Sequence, residues 1–543
     1  MAVTHSSRGV DLILYGGEIR TLDPSNPRAS AVAIRDGRII AVGNDDVIRA
    51  LADSATQLES LNGCFVLPGL TDAHIHLQGT TELLHQIDLF DVPSKHEALR
   101  RVADHAKTLP EGTWIQGSGW WQDRWDDKQF PTAADLDSVV PHHPVYLRTR
   151  SGHAAWVNTL ALNIAGIDRD TPDPAGGQIL RDEHGDATGI LLEWAAMDLV
   201  KNTIPPLTAA QLAEQLKRTQ NHLLKHGLTA VHDFDDQIVL KALQILREQG
   251  ELHLRVHKHI NKKFLASALD MGLHFGFGDD WLRIGALKLF ADGALGPHTA
   301  LMLEPYLDAP ANYGLMVTPK DEMIELMCAA SRAGLASTVH AIGDKAVRDV
   351  LDAYQTVRAD ESARGVPAHA RRHRIEHVQI IHPDDVNRLA ELSLIASMQP
   401  IHATSDYETA DRCWGERSAF AYNPRLQLDR GVVVAFGSDS PYDILSPQQG
   451  IYAAVTRRRL DGSPSESGWY PQARISLEEA LTAYTYGAAY AAALEDRAGK
   501  IAPGCFADLA VFDRPFLQDD PRSILEAHWL GTMVAGDWKA RAD

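Results

Sequence analysis

Eight short apolar runs, separated by stretches of helical patterning, organise the middle of the chain. They are Phe65–Leu70, Thr229–Asp233, Leu254–His257, Ile284–Leu289, Ala336–His340, Arg374–His377, Leu394–Met398 and Val432–Asp439. Runs this short are strand-length, and their alternation with helix-length segments favours parallel strands joined by crossover helices. Eight such strands close a barrel. Several of the runs end in His or Asp, at the edge where that architecture carries its chemistry.

The expected fold is therefore α/β: a (β/α)8, TIM-like barrel over about residues 66–494, with additions. At the N-terminus, Leu12–Tyr15, Ala31–Ile34 and Ile39–Val42 are β-rich, the last two flanking Asp36-Gly37, a strong hairpin signal. The C-terminus repeats that texture in Ala507–Asp513 and Gly531–Trp538. Residues 1–65 and 495–543 are expected to form one composite β-sandwich domain. The interval from about 78 to 227 is too long for one crossover helix and is read as an inserted subdomain over the barrel mouth. A second, irregular insertion is expected at Ile401–Pro424.

The 543-residue chain is too long for one ordinary core, and its 45% hydrophobic and 23% charged content is globular. A formal net charge of −20 disfavours phosphate backbones and anionic lipid, so neither nucleic acid nor membrane is an expected partner. Cys64, Cys328, Cys413 and Cys505 lie far apart and form no C-x-x-C pair, which argues against disulfides and thiolate zinc. Met1–Gly17 lacks the basic start and apolar run of a secretory leader. A reducing cytoplasm is the expected compartment.

His74-Ile75-His76 follows the first run, and residues two apart on an extended chain face the same side. Such a pair alone carries little weight among 25 histidines. Its weight comes from company: His340 and His377 close two further runs, Asp439 closes the last, and Lys288 lies on the fourth. Imidazoles and a carboxylate suit zinc, iron or manganese. Taken singly, Asp439 is also a turn former among Ser438, Ser440 and Pro441, and Lys288 a candidate for a buried ion pair with Asp292 or Glu376.

In order along the chain, the segments Pro68–His76, Gly152–Asn158, Gly176–Ile179 with Thr188–Leu191, Lys288–Gly293, Val339–Asp344, Arg374–His377, Ser397–Pro400 and Gly437–Pro441 resemble the amidohydrolase superfamily. Within it they resemble the Amidohydro_3 branch of YtcJ-like proteins and N-substituted formamide deformylases. The resemblance implies that His74, His76 and Asp439 hold a buried divalent metal, zinc by preference. It implies a second metal on His340 and His377, with Lys288 bridging as a carbamate, and relatives with one metal are also known. Asp439 would then shuttle the proton between attacking water and departing nitrogen, and His340 would polarise the carbonyl where only one metal is bound. The implied reaction is hydrolysis of a non-peptide C–N bond in an N-substituted formamide or other small amide. Deamination or opening of a cyclic amide or imide is the alternative on the same barrel; a non-catalytic metal-binding or regulatory relative is the alternative of another class.

The insertion holds Trp120, Trp121, Trp125, Trp156 and Trp194, read either as core or as an aromatic substrate pocket, with His153 and Glu193 as polar contacts. Two positions depart from the branch's usual pattern. Gly296-Pro297-His298-Thr299-Ala300 replaces a run containing arginine, which makes His298 a substrate-contact candidate, and Ser151 stands where an acid is usual. The expected partner is thus a small amide, apolar or aromatic, and a homo-oligomer is compatible with the sequence.

Overall fold

The computed structural model describes residues 9–90, 92–126 and 128–542; the leader reading of Met1–Gly17 rests partly on residues 1–8, outside the described residues. The chain divides into two compact units, one of residues Met1–Thr80 with Ala209–Asp543 and one of Thr81–Thr208.

The first unit is built on an eight-stranded parallel sheet. Its strands are β1 (Leu70–Ile75), β2 (Leu228–Asp233), β3 (Arg255–Asn261), β4 (Leu282–Phe290), β5 (Ser337–Ala341), β6 (Arg374–His377), β7 (Ile395–Met398) and β8 (Val434–Phe436), each hydrogen-bonded to the next in sequence. Strands β1, β6, β7 and β8 are buried along their whole length, as expected where helices cover the outside of a parallel sheet. The helices Gln237–Gln249, Lys320–Arg332 and Asp344–Ala363 connect consecutive strands. Between β8 and β1 the sheet is joined just past the strand ends: the Asp439 amide donates to the His74 carbonyl (2.8 Å) and the His76 amide to the Ser440 carbonyl (2.9 Å). A Cβ on Gly437 would come within 2.4 Å of the His74 nitrogen, so only glycine permits this approach.

The apolar run at residues 65–70 divides in two. Phe65–Pro68 pairs antiparallel with Leu509–Phe512 in a six-stranded sheet that mixes strands from both chain ends, whereas Leu70–Ile75 opens the barrel. Gly69 marks the passage: its amide donates to the Asp508 carbonyl (2.8 Å), and a Cβ there would lie 2.2 Å from the Thr229 side chain. A four-stranded sheet, containing Leu12–Tyr15 and the hairpin Ala31–Arg35/Arg38–Gly43, accompanies it. Asp36 and Gly37 turn that hairpin with φ of 49° and 72°, both left-handed as a type I′ turn requires. Leu12, Leu14, Val32, Val66, Leu509, Val511 and Met533 share one buried cluster, so both chain ends fill a common core.

Two regions differ from the sequence reading. Residues 401–424 are largely helical: Pro400–Trp414 forms a helix with Pro400 in its first turn, where a missing amide costs nothing, and a second helix runs Pro424–Leu428. The helix Ala209–Leu224 belongs to the first unit, burying Leu212, Leu216, Leu223 and Leu224.

The second unit has its own six-stranded mixed sheet. Trp120, Trp125 and Trp156 pack ring against ring in its core, with centroids 6.0–6.3 Å apart. Among the described residues, no helix is long and apolar enough to cross a membrane.

Candidate metal centre

The ends of β1, β6 and β8 bring His74, His76, His377 and Asp439 together. Asp439 Oδ1 lies 3.4 Å from His74 Nε2 and 3.5 Å from His76 Nε2. On its other side, Asp439 Oδ2 lies 3.8 Å from Nε2 of His402, in the first turn of the Pro400–Trp414 helix. The result is two overlapping groups of ligand atoms, His74–His76–Asp439 and His377–His402–Asp439, each within 4.8 Å.

Three of these imidazoles are aimed by a partner on the far nitrogen. His74 Nδ1 donates to Glu376 Oε2 (2.6 Å) and His76 Nδ1 to Asp235 Oδ1 (2.9 Å), while His377 Nδ1 donates to Gln399 Oε1 (2.8 Å). A carboxylate behind a ligating histidine fixes its tautomer and raises its basicity. Glu376 is itself held by Arg374 and Thr338. Asp235 accepts the Gln78 amide (2.6 Å), and Asp233, paired with Lys258 at 2.9 Å, accepts the Leu77 amide (2.9 Å). Between them Phe234 stacks on His74 at 3.9 Å. The Asp233-Phe234-Asp235 segment after β2 therefore positions the His74–Gln78 turn. His377 and Asp439 have left-handed backbone, φ 73° and 60°. Such conformations cost of order 1–3 kcal/mol each and tend to collect at functional sites.

Electrostatics follow from this packing. Burial pulls His74 down to about 4 and His340 to about 3. Burial also opposes charge on His76, but its hydrogen bonds to Asp235 and Asp439 win and lift it to about 9. Burial would raise Asp439 too, yet His74, His76 and His377 hold it well below the usual carboxylate range. Without a cation, a proton on His76 therefore balances Asp439. Two neutral imidazole nitrogens and a carboxylate oxygen, with second-nitrogen partners already in place, are a donor set that fits a divalent cation.

The other candidates divide. His340 stands nearby, its ring 4.6 Å from that of His377; its Nε2 donates to the Gly293 carbonyl (2.8 Å), leaving Nδ1 as its donor atom, and it joins neither group. Lys288 is buried at the same end of the barrel, its ammonium 4.4 Å from the Phe234 ring centre and 4.6 Å from that of Phe290. The carboxylates of Glu376 and Asp292 are engaged elsewhere, Asp292 by the amides of Leu301, Ile342 and Gly343. Burial lowers Lys288 to about 8, against Glu376 and Asp439.

Trp120 and Trp156, read as substrate contacts, are corrected. Both have no exposed surface, and their indole N–H groups donate to the Leu147 and Thr132 carbonyls. Trp121, His153 and Glu193 instead line an open recess of about 870 Å³ within the second unit, where His153 Nδ1 lies 3.0 Å from Glu193 Oε2. His298 sits in a separate cluster with Asp308 and Cys413. Sequence reasoning missed Asp235, Gln399 and His402. The signal for His402 was the helical start at Pro400, hidden by a polar composition read as irregular.

Comparison with known proteins matches the chain to a family. The family description "Amidohydrolase family" fits residues 57–538. Protein LONG AFTER FAR-RED 3 of Arabidopsis thaliana is 34% identical, covering 97% of this chain and 91% of its own. The N-substituted formamide deformylase of Arthrobacter pascens is 30% identical, covering 97% of each. An uncharacterized metal-dependent hydrolase from Pyrococcus furiosus superposes with a TM-score of 0.77 at 31% identity, over 94% of this chain and 99% of that one. The chain belongs to the amidohydrolase family, whose members are metal-dependent.

Proposed function

We propose that this protein is a metal-dependent hydrolase that cleaves the C–N bond of an N-substituted formamide or a similar small amide, releasing an amine and a carboxylate. The observation that carries the reading is Asp439 Oδ1, facing the Nε2 atoms of His74 and His76 while Glu376 and Asp235 hold their other nitrogens. When bound, a divalent cation polarises a carbonyl oxygen and brings the pKa of water down to about 7. Imidazole and carboxylate donors favour zinc for that role.

The chain's own residues do the rest. Glu376 and Asp235 keep His74 and His76 oriented with Nε2 forward. Asp439, ionised and held at the rim by the Asp439–His74 backbone bond, accepts a proton from the attacking water. It then returns that proton to the nitrogen as the C–N bond breaks, since an amine leaves readily only once protonated. For a second cation the grouping of His377, His402 and Asp439 within 4.8 Å is the nearest set of ligand atoms, while His340, its Nε2–H held by Gly293 and its Nδ1 left as a donor atom, stands beside His377. Lys288, brought down to about 8, retains a neutral fraction able to add CO₂. The substrate class rests on the likeness to the formamide deformylase. Four free cysteines fit a reducing cytoplasm.

The test is a panel of N-benzyl and N-alkyl formamides, acyl-amino acids and cyclic ureas, scored by amine release from zinc-loaded enzyme. Formamides are expected to turn over, with Asp439→Asn slower by about 10²–10⁴-fold, the range for a lost proton-transfer group. Turnover confined to cyclic ureas overturns the substrate class, and full zinc loading with no turnover anywhere overturns the hydrolase reading.

A further inference from the structure

Some distance along the chain from the rim ligands, three side chains of different chemistry meet. His298 Nε2 lies 3.0 Å from both carboxylate oxygens of Asp308 and 3.4 Å from the sulfur of Cys413, and that sulfur lies 3.5 Å from Asp308 Oδ2. We infer that this is a second kind of cation site, a Cys–His–Asp site for a zinc-type divalent ion, separate from the barrel rim.

The distances carry the inference. Zinc binds sulfur at about 2.3 Å, imidazole nitrogen at about 2.0–2.1 Å and carboxylate oxygen at about 2.0–2.2 Å, in a tetrahedron. Tetrahedral angles then set sulfur–nitrogen and sulfur–oxygen separations of about 3.5 Å and a nitrogen–oxygen separation of about 3.3 Å. The observed triangle of His298 Nε2, Cys413 sulfur and Asp308 Oδ2, with sides of 3.4, 3.5 and 3.0 Å, is close to this, so a cation requires only small movements of side chains already facing one another. Cys413 is buried, while the His298 and Asp308 side chains are 25% and 27% exposed, which leaves the fourth position to water.

The frame around the triangle is held by other groups. The Leu307 amide donates to the Cys413 carbonyl (2.9 Å), tying the loop that carries Asp308 to the end of the Pro400–Trp414 helix. Asn312 donates to the His298 carbonyl (3.0 Å), and the Tyr306 ring packs 4.7 Å from the imidazole. Arg412 donates to Asp308 Oδ2 (3.2 Å), which holds the carboxylate toward the imidazole and the sulfur. Binding replaces the thiol proton: the S–H bond breaks, an S–metal bond forms and the proton goes to solvent. Thiolate and carboxylate together neutralise the dication.

The site joins the two segments that flank the rim. Its loop begins beside Gly293, whose carbonyl accepts the His340 N–H, and its helix carries His402 in its first turn. A cation there is a clip that fixes both, and it does so whatever the enzyme's substrate.

Cobalt distinguishes this site from the rim, because sulfur-to-cobalt charge transfer gives a near-ultraviolet band and the rim groups contain no sulfur. The full-length protein, stripped with a chelator, is titrated with Co²⁺ alone. The band is expected in the wild type and in Cys64→Ser, and it should vanish in Cys413→Ser together with one cobalt equivalent. His298→Gln keeps the thiol and removes the nitrogen, so it too should lose one equivalent, which covers the case in which Cys413→Ser fails to fold. No band at saturating cobalt in the wild type overturns the inference. So does an undiminished band in Cys413→Ser or unchanged stoichiometry in His298→Gln.

Discussion

Replacing Asp235 by Asn tests how the rim controls its cation, because two effects of opposite sign meet at His76. Asp235 orients the His76 ring and increases its basicity; losing such a partner typically costs 10–100-fold in metal affinity, about 1.4–2.7 kcal/mol. Asp235 is also the largest reason that His76 is lifted to about 9 in the cation-free chain. At pH 7 a cation must therefore displace a proton held about two units too tightly, which costs about 2.7 kcal/mol. In Asp235→Asn that penalty shrinks, so near pH 7 it offsets much of the lost orientation. Above about pH 9 His76 is deprotonated in both proteins and the full 10–100-fold deficit emerges. The assay is Zn²⁺ competition against a chelator of known affinity, from about pH 6.5 to 9.5, with circular dichroism to verify folding. Wild-type affinity should climb about tenfold per pH unit between 7 and 9, and the variant more shallowly. Parallel curves, or no deficit at the alkaline end, would refute the argument that Asp235 acts through His76.

Two further substitutions address the same neighbourhood. Glu376→Gln strips the charge that balances the buried Arg374 guanidinium, so urea unfolding should show a loss of about 3–5 kcal/mol; a loss under about 1 kcal/mol would mean that Arg374 is neutralised some other way. His402→Asn should remove one rim cation equivalent, measured by elemental analysis, while His340→Asn, at a residue outside both groups of ligand atoms, should retain it. The reverse pattern would restore the His340–His377–Lys288 arrangement.

The barrel was legible in the sequence because its strands are short apolar runs with polar ends, and because the fold gathers such ends at one rim. His74, His76, His377 and Asp439 follow from that rule with no knowledge of contacts. The passage at Gly69 is signalled in the sequence only by the Pro68-Gly69 pair inside the otherwise apolar run Phe65–Leu70; the competing pairings with Leu509–Phe512 and with β2 are what divide it. Asp235 and Glu376 take their meaning from partners more than 150 residues away, which a periodicity cannot reveal. His402 escaped because its helix is rich in Thr, Ser and Asp, residues that favour turns in isolation yet here lie on a helix anchored by buried Ile401, Ala403, Tyr407 and Ala410. The tryptophans show the converse limit: composition flagged a cluster, but only packing separates the core rings of Trp120, Trp125 and Trp156 from the exposed Trp121.

The backbone joint between His74–His76 and Asp439–Ser440 has a consequence for how the protein comes into being. One half of that joint is synthesised early, and the other only after nearly all the intervening strands. A growing chain thus carries the His74–His76 pair for most of its synthesis without the carboxylate that completes the set. On the proposed metal reading, cation loading waits for the last strand to dock, and closure of the barrel and maturation become a single event.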